Sequence, residues 1–187
     1  MRIIGGKFKG KKILEPKDKK TRPLKDLTKE SIFNIINHSN KFSIELEKSY
    51  VLDLFSGTGS FGLECLSRKA RHVIFVENYK EILPILKSNL SNLKINNNYS
   101  IIEKNILFDS DFLKKKDKFD IIFLDPPYKE KEINIILNNL SKFKNLKPDG
   151  IIIIHRHKKE KDNFPEKFKI IEEKKYGISK IIFGKFI

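Results

Sequence analysis

Four short stretches of this chain are apolar at nearly every position rather than at alternate ones: "YVLDLF" (50–55), "HVIFVE" (72–77), "FDIIFLD" (119–125) and "IIIIH" (151–155). A strand that is apolar on both sides must be covered on both sides, and the segments between supply that cover. "GSFGLECLSR" (59–68) opens a helix, and residues 79 to 94 carry Ile82, Leu83, Leu86, Leu90 and Leu93 at helical spacing. Residues 130 to 143 repeat the pattern with Ile133, Ile136, Leu137 and Leu140. "SIIEKN" (100–105) adds a shorter strand, followed by a weak helix around 109–116. Strands alternating with helices predict an α/β fold, a mostly parallel sheet with helices on both faces. "KPDG" (147–150) reads as a turn. The tail "FKIIEEKKYGISKIIFGKF" reads as two strands around a turn near 176–179, an antiparallel hairpin added at one edge.

Such sheets bind ligands beyond the carboxyl ends of their strands. The first strand runs into "DLFSGTGSFG", with Gly57, Gly59 and Gly62 in a G-x-G-x-x-G that lets backbone approach a ligand closely. Two acids bear on what that ligand is. Glu77 ends the second strand, where a carboxylate can grip both hydroxyls of a ribose, in NAD or in S-adenosylmethionine (SAM) alike. Asp53 precedes the loop, where it repels a pyrophosphate but favours the ammonium and sulfonium of SAM. Asn105, at the end of the third strand, stands where the adenine edge would be met.

The fourth strand ends in Asp125-Pro126-Pro127-Tyr128, on the same edge as the glycine loop. Each proline fixes φ and restricts the residue before it, so this turn is rigid. The Asp125 carboxylate and the Pro126 carbonyl are placed to accept both hydrogens of an exocyclic amino group, with Tyr128 stacking on the attached heterocycle. Two fixed acceptors would aim the amine lone pair at a methyl donor, and Asp125 would take the proton. Adenine and guanine both offer such an amine.

Charge narrows the partner. The chain carries 39 Lys and Arg against 24 Asp and Glu, a formal net charge of +15. Residues 1 to 25 hold ten basic and two acidic residues, so about half the excess is concentrated there, as a polyanion-binding arm requires. "RIIGGKFKGKKI" predicts a small hairpin or extended arm. A helix should follow from Asp26, as its N-cap, to residue 37, burying Leu27, Ile32, Phe33 and Ile36. Residues 1–45 would form this basic extension, and 46–187 the catalytic domain. No stretch is apolar for long enough to span a bilayer and the N-terminus lacks a signal-peptide core, which predicts a cytoplasmic protein. Cys65 stands alone and should be a buried helix residue. His155 and His157 share one side of a strand end, but no third ligand has suggestive spacing, so no metal is expected.

"MRIIGGKFKGKKI", "TRPLKDLTKESIFNII", "LDLFSGTGSFGLECLSR" and "LDPPYK", in that order, resemble the RsmD family of SAM-dependent methyltransferases, which methylate the exocyclic N2 of a guanine in bacterial 16S ribosomal RNA. The resemblance runs nearly end to end and implies a Rossmann-like SAM-dependent methyltransferase fold. By position it implies that Asp53, Phe55, Ser56, Gly57, Thr58 and Gly59 hold the methionine end of SAM. Glu77 and Asn78 would meet the ribose, and Asn105 and Ile106 the adenine. Asp125, Pro126, Pro127 and Tyr128 would hold the target base, while Lys7, Lys9, Lys11, Lys12 and Arg22 would meet RNA phosphates. The implied partner is 16S rRNA, free or within the small ribosomal subunit, with the protein acting as a monomer and no membrane involved. A SAM-dependent adenine-N6 methyltransferase acting on DNA or RNA would share both motifs. Acting on DNA, it usually needs a larger recognition segment to read base edges than the roughly 45 residues outside the core. Where the family commonly shows Arg-Pro-Thr and Val-Arg-Glu, this chain has Arg22-Pro23-Leu24 and Leu27-Thr28-Lys29-Glu30. Lys29 cannot reproduce a bidentate guanidinium contact.

Overall fold

The computed structural model describes residues 1–16, 24–95, 97–115, 117–127 and 132–187. Seven strands form one sheet in the order β3-β2-β1-β4-β5-β7-β6. The strands are β1 (Tyr50–Leu54), β2 (His72–Val76), β3 (Tyr99–Ile102), β4 (Phe119–Leu124), β5 (Leu146–His157), β6 (Phe168–Tyr176) and β7 (Ser179–Phe186). The first five pair in parallel, and β7 pairs antiparallel with both β5 and β6. The expected parallel sheet with a closing hairpin is therefore present. β7 lies inside β6, so the hairpin joins the sheet through its second strand.

Among the described residues, the α-helices are α1 (Asp26–His38), α2 (Ser60–Ser67), α3 (Leu83–Asn92) and α4 (Ile133–Lys142). Strand alternation divides the core between two faces. Val51, Ile121, Phe123, Ile151, Ile153, Ile181 and Phe183 pack with α1, α2, α3 and the N-terminal arm. Leu52, Leu54, Ile122, Leu124, Ile152, Ile154 and Ile182 pack with α4. Phe61 ties the first face together, stacking on Phe123 at 4.0 Å and on Phe33 of α1 at 5.4 Å.

The elements depart from expectation in four places. The weak helix near 109–116 is a short 3-10 turn, Asp111–Lys115. "KPDG" does not precede β5 but lies within it. Phe119 pairs with Leu146 and Ile121 with Ile151, so β5 carries extra residues there as a bulge, which Pro148 and Gly150 permit. The cap of α1 is Lys25 in extended geometry, and Asp26 is the first helical residue, where its charge favours the helix dipole. Leu27 is 75% exposed. The buried stripe of α1 runs through Lys29, Ile32, Phe33 and Ile36, and Leu27 sits two positions from it, on the far side of the helix.

Lys29 is fully buried. Its Nζ donates to the Arg2 carbonyl and lies 3.4 Å from Asp26 Oδ1. Burial pulls its pKa down, with Glu64 and Asp26 opposing. The lysine fastens the arm to α1 instead of reaching a phosphate.

The arm is a clamped hairpin, with Arg2 bridging Lys12. It lies on α2 through Ile4 N–H to Glu64 Oε2 (2.8 Å), Lys7 N–H to the Ser67 carbonyl (2.7 Å) and Phe8 N–H to Ser67 Oγ (2.9 Å). A Cβ on Gly6 would stand 2.0 Å from the Ser67 carbonyl oxygen, so glycine is what lets the backbone lie this close. Further along, Asn89 of α3 accepts the Leu14 N–H (2.8 Å) and donates to the carbonyls of Leu14 (3.3 Å) and Thr58 (3.0 Å). One buried amide thus joins arm, α3 and glycine loop.

Candidate active site

Strand order reverses between β1 and β4, and the loops leaving their carboxyl ends diverge there. Asp53 of β1, Glu77 just after β2 and Asp125 just after β4 share this edge. Leu54 pairs with Leu124, and the Asp125 N–H reaches the Leu54 carbonyl at 3.3 Å, bringing the two loops together.

The glycine loop owes its shape to local backbone. Phe55, Gly57 and Gly59 have φ of 59°, 54° and 83°. Phe55 holds the left-handed region without being glycine, a costly conformation that clusters at functional sites. At Gly62 the constraint is packing: a Cβ would meet Phe75 Cε1 at 2.2 Å, so glycine seats α2 on β2. Asp53 is buried, and its Oδ2 accepts the Gly62 N–H at 2.9 Å. Burial pushes its carboxyl well above the ordinary range. The Gly62 bond opposes this, and the charges of Asp125 and Glu77 add to it. Glu77 Oε2 accepts the Gly57 N–H at 2.7 Å, and its Oε1 accepts those of Asn78 and Tyr79, each at 2.8 Å. Three of the carboxylate's roughly four acceptor sites are thereby taken. A grip on both ribose hydroxyls requires exchanging one of those amides.

Of the other expected cofactor residues, Ser56 and Thr58 are buried in the loop and Asn78 is exposed beside Glu77. Asn105 spends its Oδ1 on the Leu107 N–H (2.9 Å), forming the turn after β3, and Ile106 is buried on the α4 face. The Ser60 hydroxyl, at the start of α2, is buried without a hydrogen-bond partner among the described residues. An orphaned hydroxyl and a buried carboxylate beside close-packed glycines suit a polar, cationic ligand lying against the loop.

On the other side of the switch, Asp125 is partly exposed, Pro126 buried and Pro127 exposed. Tyr128 lies outside the described residues. Asp125 Oδ1 is 2.7 Å from His155 Nδ1, whose Nε2 is 2.9 Å from Ser179 Oγ. Arg156, 1% exposed, donates Nη1 to the Pro127 carbonyl (3.3 Å) and Nε to Asp162 (2.8 Å). Lys180, its partner on β7, reaches the same carboxylate at 3.2 Å. His155 and Arg156 were not foreseen as site residues. A signal existed in "IIFLD" and "IIIIH": on adjacent parallel strands, each has its first polar residue after four apolar ones.

Lys7, Lys9, Lys11 and Lys12 are exposed, and Arg22 lies outside the described residues. The tip of the arm sits against Ser67, at the far end of α2 from the glycine loop. At 1.5 Å per residue, the eight residues of α2 put about 12 Å of helix between its two ends. A groove of about 750 Å³, lined in part by Lys7, Asn37, Lys48 and Arg68, lies at this opposite edge and contains none of the three acids.

Strand order, glycine loop and acids at the switch point together define a Rossmann-like methyltransferase. The model of the family described as Conserved hypothetical protein 95 matches residues 1–185. Ribosomal RNA small subunit methyltransferase D of Haemophilus influenzae is 34% identical over 186 residues, spanning 95% of this chain and 90% of that protein. The solved structure of Escherichia coli yhhF matches with a TM-score of 0.82 at 26% identity, covering 100% of this chain and 97% of that one. SMU.776, solved complexed with SAH, shares the fold at a TM-score of 0.61 and 16% identity, over 84% of this chain and 49% of that one. The chain belongs to the Conserved hypothetical protein 95 family, the RsmD group that its motifs resemble.

Proposed function

We propose that this protein is a SAM-dependent ribosomal RNA methyltransferase that methylates the exocyclic N2 of a guanine in 16S rRNA of the small subunit. The observation that carries this reading is the placement of buried Asp53 and open Asp125 on either side of one strand switch. Asp53, Gly57, Thr58 and Ser60 would hold the methionine end of SAM, Glu77 the ribose and Asn105 the adenine side. Bound there, SAM would supply an electrophilic methyl to the amine lone pair, with the sulfur leaving as a neutral thioether. Asp125 and the Pro126 carbonyl orient the amine, and the Asp125 carboxylate takes its proton. The arm lysines meet backbone phosphates away from the base, so they contribute affinity and register rather than base choice. A ribosomal substrate goes with a cytoplasmic location and with a large particle as partner.

The test uses small ribosomal subunits from cells lacking this protein, labelled SAM and nucleoside mass spectrometry. The expected product is N2-methylguanosine in 16S rRNA. N6-methyladenosine would move the assignment to the adenine class, and no transfer to rRNA would overturn the reading.

A further inference from the structure

Leu124 pairs with Ile154, so the next residues, Asp125 and His155, stand side by side where β4 and β5 reach the edge. Both continue the face of Phe123 and Ile153, and Ser179 shares that face on β7, two residues from His155's partner Ile181. His155 is 7% exposed, and its two ring nitrogens lie 2.7 Å from Asp125 Oδ1 and 2.9 Å from Ser179 Oγ.

We propose that His155 is a positioning residue for methyl transfer: its Nδ1–H holds Asp125 by Oδ1, leaving Oδ2 to take the amine hydrogen, and its neutral form is the active one. This rests on the reading of Asp125 as the acid that receives the amine. A carboxylate oxygen only accepts, so Nδ1 carries a proton in both charge states of the ring. The second site, Nε2, faces a hydroxyl that serves either state. Ser179 donates to the bare nitrogen of the neutral ring and accepts from the Nε2–H of the imidazolium. His155 can therefore titrate in place without losing a bond.

Its charge matters because positive charge develops on the amine nitrogen as the new bond forms. With a neutral ring, the Asp125–His155 pair carries one net negative charge and stabilises that nitrogen. With an imidazolium the pair is neutral, and Oδ2 is a weaker base. The proton leaves the amine nitrogen for Oδ2 and passes to solvent with product release. His155 keeps its Nδ1 proton throughout and gains none. Among the described residues, the charged groups acting on His155 include Asp125 from β4 and Arg156 beside it on β5. Lys180 on β7 is engaged by Asp162, and Asp53 on β1 acts on Asp125 from beyond it. Burial lowers the pKa of His155, but the charge of Asp125 and its hydrogen bond outweigh burial and Arg156, leaving it above the ordinary 6.5. The switch to the active form accordingly falls above that pH.

The test is the single-turnover methylation rate on small subunits across pH, with ring-nitrogen NMR of His155 in the SAM-free protein. The wild-type rate should fall about tenfold per pH unit below the His155 pKa. His155→Asn retains a donor for Oδ1 but cannot titrate, so its acid limb should vanish. Ser179→Ala removes the partner of Nε2 in both states, but a hydrogen bond to a charged group is the stronger of the two, so the limb should move to lower pH; it keeps the test open where His155→Asn does not fold. Asp125→Asn should lower the pKa of His155 seen by NMR. An unchanged acid limb in both His155→Asn and Ser179→Ala, or a His155 titration indifferent to Asp125→Asn, overturns the proposal. Wild-type protein that methylates no rRNA overturns the functional reading instead, and the NMR titration then judges the pairing on its own.

Discussion

Asp53 and Glu77 are held by backbone amides, whereas Asp125 is held by side chains. On the β1–β2 side the carboxylates accept N–H groups of Gly62, Gly57, Asn78 and Tyr79, all local to the glycine loop or the end of β2. On the β4–β5–β7 side, Asp125 leans on His155, which leans on Ser179, while Arg156 holds the Pro127 carbonyl. Backbone amides neither titrate nor mutate away, so the first half should be set by glycines and insensitive to pH through its holders. The second half is assembled from residues about thirty positions apart in the chain, and one of its holders, His155, can change charge: burial lowers its pKa, and Asp125 outweighs burial to raise it above the ordinary imidazole value.

The comparison breaks most directly at Asp125. Asp125→Asn should lower methyl transfer by about 10²–10⁴-fold while leaving SAM affinity by calorimetry within about twofold. Equal loss of both would make the halves one unit. Arg156→Met should cost about 3–5 kcal/mol of stability in denaturant unfolding, because it leaves Asp162 buried with Lys180 as its one cationic partner among the described residues. Its SAM affinity in the folded fraction should be unchanged.

Asp53→Asn should weaken SAM binding by about 1.5–3 kcal/mol, the worth of a hydrogen bond to a charged group, yet raise the melting temperature. The sign follows from burial. The folded protein binds the Asp53 proton more tightly than the unfolded chain does, so wild-type stability falls as pH rises from 3.8 through the raised pKa. The Asn variant should lack that fall, and melts across pH would check it. Gly62→Ala should cost about 1–3 kcal/mol through the Phe75 clash and weaken SAM binding without moving the pKa of His155. The smallest effect is expected at the arm. Charge reversal at Lys7, Lys9 and Lys11 should weaken RNA binding and reduce its log–log salt slope by about 0.7–0.9 per lost phosphate contact. An unchanged slope would take the arm out of the RNA interface.

The glycine half was legible because its information is local. Gly57, Gly59 and Gly62 mark where backbone must turn or be approached, Asp53 lies nine residues before the Gly62 it engages, and Glu77 adjoins Asn78 and Tyr79; only its bond to Gly57 spans 20 residues. Lys29 shows the opposite case. As a departure from a family pattern it raised a question about phosphate contact, and only packing revealed it to be buried under Arg2. Leu27 is apolar and close to the stripe in sequence, but at 100° per residue it lies opposite Ile32, Phe33 and Ile36, so it faces away from the surface that α1 packs against.

Sequence by itself determined the layered α/β architecture and the three acids that its strand ends bring to one edge of the sheet. Those depend on periodicity and on short-range rules about glycine, proline and strand termini. Tertiary structure alone decided which side chains support Asp125. Parallel register between β4 and β5 and antiparallel register between β5 and β7 are long-range pairings, and they convert "IIIIHRH" from a polar strand end into the residues that hold the acid-Pro-Pro turn.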